Sequence, residues 1–175
     1  MYRVLKDTGS FYIHGDNRFI PYIRIECDKI FDIKNFRNEI IWKYGLGGSS
    51  NKQFAKKHDT ILFYTKTSEY KFNLQYEKAT SNKMKGQMKK MTDVWDIPNI
   101  NNMAKERTGY PTQKPVDLIH NIIQASSNEN DMVADFFMGS GTTGEVALKI
   151  GRKFIGCDIG EKACEVSKDR LNNIN

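Results

Sequence analysis

The chain has 175 residues, 39% of them apolar and 27% charged, a composition that suits a globular protein able to bury one core. No apolar run approaches the roughly 18 residues of a membrane span, and the N-terminus lacks the charged, apolar and small-residue order of a secretory signal, so a cytoplasmic protein with no membrane partner is expected. Cys27, Cys157 and Cys164 form no Cys-x-x-Cys pair and suggest neither a disulfide framework nor a zinc knuckle; the net charge of +6 is compatible with a polyanionic partner.

Along the chain, Gly9 to His14 is an aromatic and β-branched run that predicts a strand. Arg18 to Phe31 places Phe19, Tyr22, Ile23, Cys27, Ile30 and Phe31 at helical spacings, with Pro21 restricting where the helix can start. Glu39 to Tyr44 and Asp59 to Tyr64 predict two further strands. The loop joining them carries Gly45, Gly47, Gly48, Lys52, Lys56 and Lys57, and reads either as a solvated hairpin connection or as a phosphate-contacting element. Over residues 66–107 periodicity is lost, and the segment reads as a long basic loop or insertion within a single domain spanning residues 1–175. Its Lys83, Lys85, Lys89 and Lys90 suit a DNA backbone, and its Tyr70, Phe72 and Tyr76 suit base stacking; a solvated loop is the plainer alternative.

Periodicity returns after Pro115, where Val116, Leu118, Ile119, Ile122 and Ile123 share one helical face that ends at Ser126, Ser127 and Asn128. A strand over Met132 to Phe137, a helix over Glu145 to Ile150, a strand over Lys153 to Asp158 and a helix over Glu161 to Leu171 follow. Between the first strand and helix lies Gly139-Ser140-Gly141-Thr142-Thr143-Gly144, a G-x-G-x-x-G pattern in the strand-to-helix context that gives it meaning. Asp158, ending the next strand, is placed to accept hydrogen bonds from a ribose diol. Asp135 stands directly before the glycines, where a dinucleotide would place its pyrophosphate and two like charges would repel. S-adenosylmethionine brings a sulfonium and an ammonium instead, and its carboxylate suits a helix N-terminus, so the methyl donor fits better than NAD.

These residues resemble the N6-adenine and N4-cytosine DNA methyltransferases of the permuted order in which the cofactor motif comes last. Asp135 to Thr143 is similar to the family's Asp-Pro-Phe-x-Gly-Ser-Gly-Thr-Thr motif, with Phe136 in place of proline, and Tyr110-Pro111-Thr112-Gln113-Lys114-Pro115 to its Pro-Thr-Gln-Lys-Pro signature. Thr8 to Asp16 and Asn35 to Trp42 are similar to segments that follow the family's catalytic loop, especially in type III modification subunits. The resemblance implies an α/β, Rossmann-like, S-adenosylmethionine-dependent methyltransferase fold, with Asp135, Phe136, Phe137, Gly139, Ser140, Gly141, Thr142 and Thr143 forming the cofactor turn. Within that turn Asp135, Phe137, Gly139, Gly141 and Thr142 would meet the methionine end, while Gln113, Lys114 and Pro115 would line the pocket rim. Lys52, Lys56, Lys57, Lys83, Lys85, Lys89 and Lys90 would face double-stranded DNA.

Such enzymes flip the target base and hold its amine with an Asp/Asn/Ser-Pro-Pro-aromatic tetrapeptide. Pro21 and Pro98 are the prolines outside the signature, and neither adjoins another, so that tetrapeptide is absent from this sequence and no catalytic residue is assigned. The chain is expected to begin after that loop and to hold an incomplete sheet with exposed edges, which favours aggregation or a complementary polypeptide. A restriction subunit is a further possible partner. Three functions follow: a DNA methyltransferase or its inactive fragment in a restriction-modification system, with adenine N6 favoured over cytosine N4; a non-catalytic DNA-binding or regulatory remnant; and, resting on the same glycines but disfavoured by Asp135, an NAD-dependent oxidoreductase.

Overall fold

The strand candidates in the first half of the chain join one four-stranded sheet in the computed structural model, which describes residues 1–45 and 48–174. Two compact units are present, Met1–Ile97 and Pro98–Asn175. No helix among the described residues is long and apolar enough to cross a membrane.

In the first unit β1 (Ser10–Gly15), α1 (Ile20–Phe31), β2 (Phe36–Lys43) and β3 (His58–Thr65) lie close to their predicted positions. Helix α1 starts at Ile20 because Pro21, lacking an N–H, is tolerated only in the first turn. Strand β3 is central, antiparallel to β1 on one side and to β2 on the other. Leu62 and Tyr64 of β3 point to one face, where they pack with Ile20, Cys27 and Phe31 of α1 and with Phe11, Ile13 and Phe36. Ile61 and Phe63 point to the other and are 1% and 2% exposed. With both faces covered, β3 reads as a continuous apolar run rather than an alternating one. The Tyr64 hydroxyl donates to Asp28 Oδ1 at 2.5 Å, and the Arg24 guanidinium, which also pairs with Asp28, lies 3.4 Å from the Phe36 ring centre.

Segment 66–107 departs from the loop reading, because it contains three short strands. β4 (Tyr76–Lys78) and β5 (Met88–Lys90) form an antiparallel hairpin, and β6 (Val94–Asp96) joins the main sheet parallel to β2. Each has three residues, too few to display a period of two; β4 and β5 are held by backbone pairing with no buried residue, and β6 buries Trp95 alone. Tyr70 and Phe72 lie 6.2 Å, centre to centre, from the Phe63 ring, and Arg37 stacks on Tyr70 at 4.5 Å. Tyr70, partly buried, packs onto the sheet's second face, while Phe72 keeps 51% and Tyr76 56% of its surface exposed. Trp42 and Trp95 pair across β2 and β6, and both are buried.

The second unit is a βαβα run preceded by a helix. It comprises α2 (Val116–Ser126), β7 (Met132–Asp135), α3 (Thr142–Lys149), β8 (Lys153–Gly156) and α4 (Glu161–Asn172). Strands β7 and β8 pair in parallel in a sheet of their own, so the second unit's sheet and the first unit's are partial sheets of a mixed α/β fold. Val133 and Phe154 face a core of Ile123, Val146 and Ala147 supplied by α2 and α3. On the opposite face Met132 and Ile155 are 55% and 54% exposed. The strand at Met132 ends two residues before the predicted Phe137, and α3 begins three before the predicted Glu145, because the glycine turn itself winds into the helix.

Candidate functional site

The second unit gathers its polar chemistry at the C-terminal ends of β7 and β8, where two parallel strands hand over to helices. Gly139 and Gly141 have φ of +49° and +75°, in the left-handed region that a side chain resists. Space is short for a side chain as well, most of all at Gly141. A Cβ on Gly139 would lie 3.2 Å from the Tyr110 ring, and one on Gly141 would lie 2.9 Å from Ser167 Cβ. The backbone therefore turns tightly between Tyr110 and α4 and enters α3 at Gly141, its N-cap. The first amides of any such helix have no acceptor within it and are open to an anion.

Two carboxylates flank this turn. Asp135, at the end of β7, accepts from the Phe137 amide at 3.0 Å and from the Thr143 hydroxyl at 2.6 Å. Asp158, beyond β8, accepts from the Gly160 and Gly139 amides, both at 2.9 Å. Those amides, Gly160 first and Gly139 next, hold the Asp158 carboxyl below the usual carboxylate range, so it is ionised at neutral pH. Each carboxylate oxygen keeps a second lone pair for a ligand. Ser140 and Thr142 are buried, with their hydroxyls 3.1 Å apart, and the Thr142 hydroxyl donates to the Lys114 carbonyl at 3.3 Å. Phe137 is 81% exposed, while the Phe136 carbonyl accepts from the Cys157 thiol.

The segment before α2 folds onto its own polar groups. The Gln113 amide accepts from the Thr108 N–H and hydroxyl, both at 2.8 Å, and donates to the Glu106 carbonyl at 2.6 Å. Gln113 thus shapes the loop, and Lys114 enters the arrangement through its carbonyl. Buried Pro115 caps α2, whose Val116 amide is met by Glu106 Oε2 at 3.0 Å. Glu106, Tyr110 and Arg170 carry no site role in the sequence reading. The available signal for Arg170 was its spacing from Ala163 and Ser167, which puts all three on one face of α4.

The basic residues belong to the first unit. Lys52 and Lys56 are exposed, Lys57 is half-buried with its ammonium 3.4 Å from the Gly48 carbonyl, and Gly47 lies outside the described residues. Lys83 and Lys85 sit exposed between β4 and β5, and Lys90 is exposed on β5. Lys89 is paired with Glu77 across the hairpin at 3.1 Å.

Comparison with known proteins places this geometry. The sequence matches the family N6_N4_Mtase, DNA methylase, over residues 1–169. It is 35% identical to the DNA adenine methyltransferase YhdJ of Escherichia coli K12, covering 98% of this chain and 63% of that one. It is also 35% identical to the type II methyltransferase M.HpaI of Haemophilus parainfluenzae, covering 98% of this chain and 56% of that one. The chain thus spans somewhat over half the length of these relatives, which are type II and adenine enzymes where the sequence resemblance leaned to type III subunits. The solved complex of M1.HpyAVI with SAM superposes with a TM-score of 0.69 at 26% identity, over 95% of this chain and 76% of that one. The cytosine-N4-specific PvuII DNA methyltransferase, at 19% identity and a TM-score of 0.73, shares the fold over 98% of this chain and 67% of that one. The glycine turn, its two carboxylates and the match along nearly the whole sequence have one reading: the chain belongs to the N6/N4 DNA methylase family.

Proposed function

We propose that residues 1–175 are part of one methyltransferase domain, cytoplasmic, that binds S-adenosylmethionine and serves methylation of an exocyclic amine of double-stranded DNA, adenine N6 ahead of cytosine N4. The observation that carries the reading is Asp135, an anchored carboxylate at the mouth of a glycine turn that leads into a helix. That donor set suits a ligand that is cationic at one end and carries a diol and a carboxylate. Phe137 and Thr143 hold the Asp135 carboxylate in place, so its charge faces a sulfonium or ammonium without reorganising. Asp158 has lone pairs left for a ribose diol, and the first amides of α3 can receive the ligand's carboxylate. When bound, S-adenosylmethionine supplies an electrophilic methyl group. Exposed Lys52, Lys56, Lys83, Lys85 and Lys90 supply charge for binding phosphates. The residues present bind and orient, and none is assigned to the target amine.

The two-stranded β7–β8 sheet, unpaired at its edges among the described residues and bare on one face, supports a second element of this reading, a complementary polypeptide that pairs with it or packs on it. Parallel strands are ordinarily covered on both faces, and Met132 and Ile155 are not. Calorimetric titration with S-adenosylmethionine tests the cofactor site. The parent chain is expected to bind, and Asp135→Ala to bind at least about tenfold more weakly while remaining folded. Equal binding by both would overturn the role given to Asp135.

A further inference from the structure

Arg170, on α4, is nearly buried, with its side chain 7% exposed. Its Nε bonds Glu145 Oε2, in the first turn of α3, and its Nη1 donates to the Thr142 hydroxyl at 3.0 Å and lies 3.5 Å from the Ser140 carbonyl. Thr142 passes the connection on to the Lys114 carbonyl. Nη2 is buried with no hydrogen-bond partner among the described residues. A guanidinium that leaves one donor unsatisfied is a poor choice for stability alone, since buried ion pairs gain little over apolar packing of the same volume. Its geometry is specific, however, because one planar fork addresses the helix, the turn carbonyl and the turn hydroxyl together.

We infer that Arg170 is a positioning residue that locks the Gly139–Thr142 turn against α4 in the shape that receives the nucleoside. This rests on the cofactor reading given above. The packing agrees, since Ser167, one helical turn earlier, lies where a Cβ on Gly141 would be, so α4 backs the turn directly. Lysine at this position can keep the pair with Glu145 but cannot reach Ser140 and Thr142 at the same time. Glu145 also bonds Lys149 at 2.6 Å, so replacing Arg170 does not strand its charge.

Amide hydrogen exchange on the unliganded chain tests this, comparing the parent with Arg170→Lys and Arg170→Met. Both variants are expected to exchange at least about tenfold faster over residues 139–143, with the buried core of α2 around Leu118 and Ile123 changed by less than about twofold. In both, binding of S-adenosylmethionine weakens about tenfold. Thr142→Val, which keeps Arg170 and removes one acceptor, speeds exchange of the turn by a smaller factor and serves if the arginine variants fail to fold. Parent-like protection of the turn in Arg170→Lys would overturn the inference, and so would equal acceleration in the α2 core. A parent chain that fails to bind S-adenosylmethionine overturns the cofactor reading instead, because the exchange experiment needs no ligand.

Discussion

The two units bury their strands in opposite ways. In Met1–Ile97 the central strand β3 is buried over six successive residues, Thr60 to Thr65, and its side chains are covered on both faces. In Pro98–Asn175 the strands β7 and β8 alternate, with Val133 and Phe154 packed against α2 and α3 and with Met132 and Ile155 in solvent. A sheet buried on both faces derives its stability from apolar area. A parallel pair covered on one face relies on its helices and places its strand ends, with their carboxylates and glycines, where a ligand can reach them. Apolar burial and polar strand-end groups are thus unevenly shared between the units.

The sharpest way to break this contrast is a pair of truncations. Leu62→Ala is expected to lower stability by about 3 kcal/mol, because it opens a cavity in a packed core, while Ile155→Ala costs less than about 0.5 kcal/mol. Urea unfolding of both variants would show it, and equal losses would mean that the second face of the β7–β8 pair is as well packed as β3. Next in size, the division of labour is sharpened by charge. Replacing Lys52, Lys56, Lys83 and Lys85 with alanine should weaken binding to duplex DNA and reduce the slope of log affinity against log salt by up to about one for each phosphate left without its lysine. Affinity for S-adenosylmethionine should not change. Lys89→Ala should do less to the DNA slope, because Glu77 already engages that ammonium.

The smallest effect concerns Glu145. Burial by itself would raise its carboxyl, but hydrogen bonds from Lys149 and Arg170 outweigh burial and hold it below the usual carboxylate range. A depressed folded value means that the contribution to stability is complete above the unfolded value of about 4.3 and is lost as pH falls through the folded one. Glu145→Gln should therefore flatten the acid limb of stability below about pH 4.3, by about 1 kcal/mol or less, in urea melts followed by circular dichroism. An unchanged acid limb would place the acid-sensitive groups elsewhere, in the first unit for example, where Arg18 holds Asp16 down at about 2.

What could be read in advance depended on how local the signal was. The helices α1 and α2 carry an apolar face over three turns or so, β3 carries an unbroken apolar run, and the glycines at 139 and 141 sit where a strand-to-helix turn demands them. Each of these signals is complete within a dozen residues. β4, β5 and β6 were not legible, since three residues cannot show a period and the partner of β6 lies far along the chain. That Tyr70 packs on Phe63 was not legible either, because its partner belongs to a different segment.

The same distinction holds at the site. The amino-acid sequence by itself determined the fold class, the family, the glycine turn and the two carboxylates that flank it, because glycine, aspartate and their spacing are local requirements of that turn. Tertiary structure alone decided that Gln113 spends its amide on the preceding loop, that Glu106 caps α2, that Lys89 is paired, and that Arg170 reaches the turn from a helix some thirty residues away. A hydrogen bond between distant segments depends on where folding puts both ends, and neither end records the other.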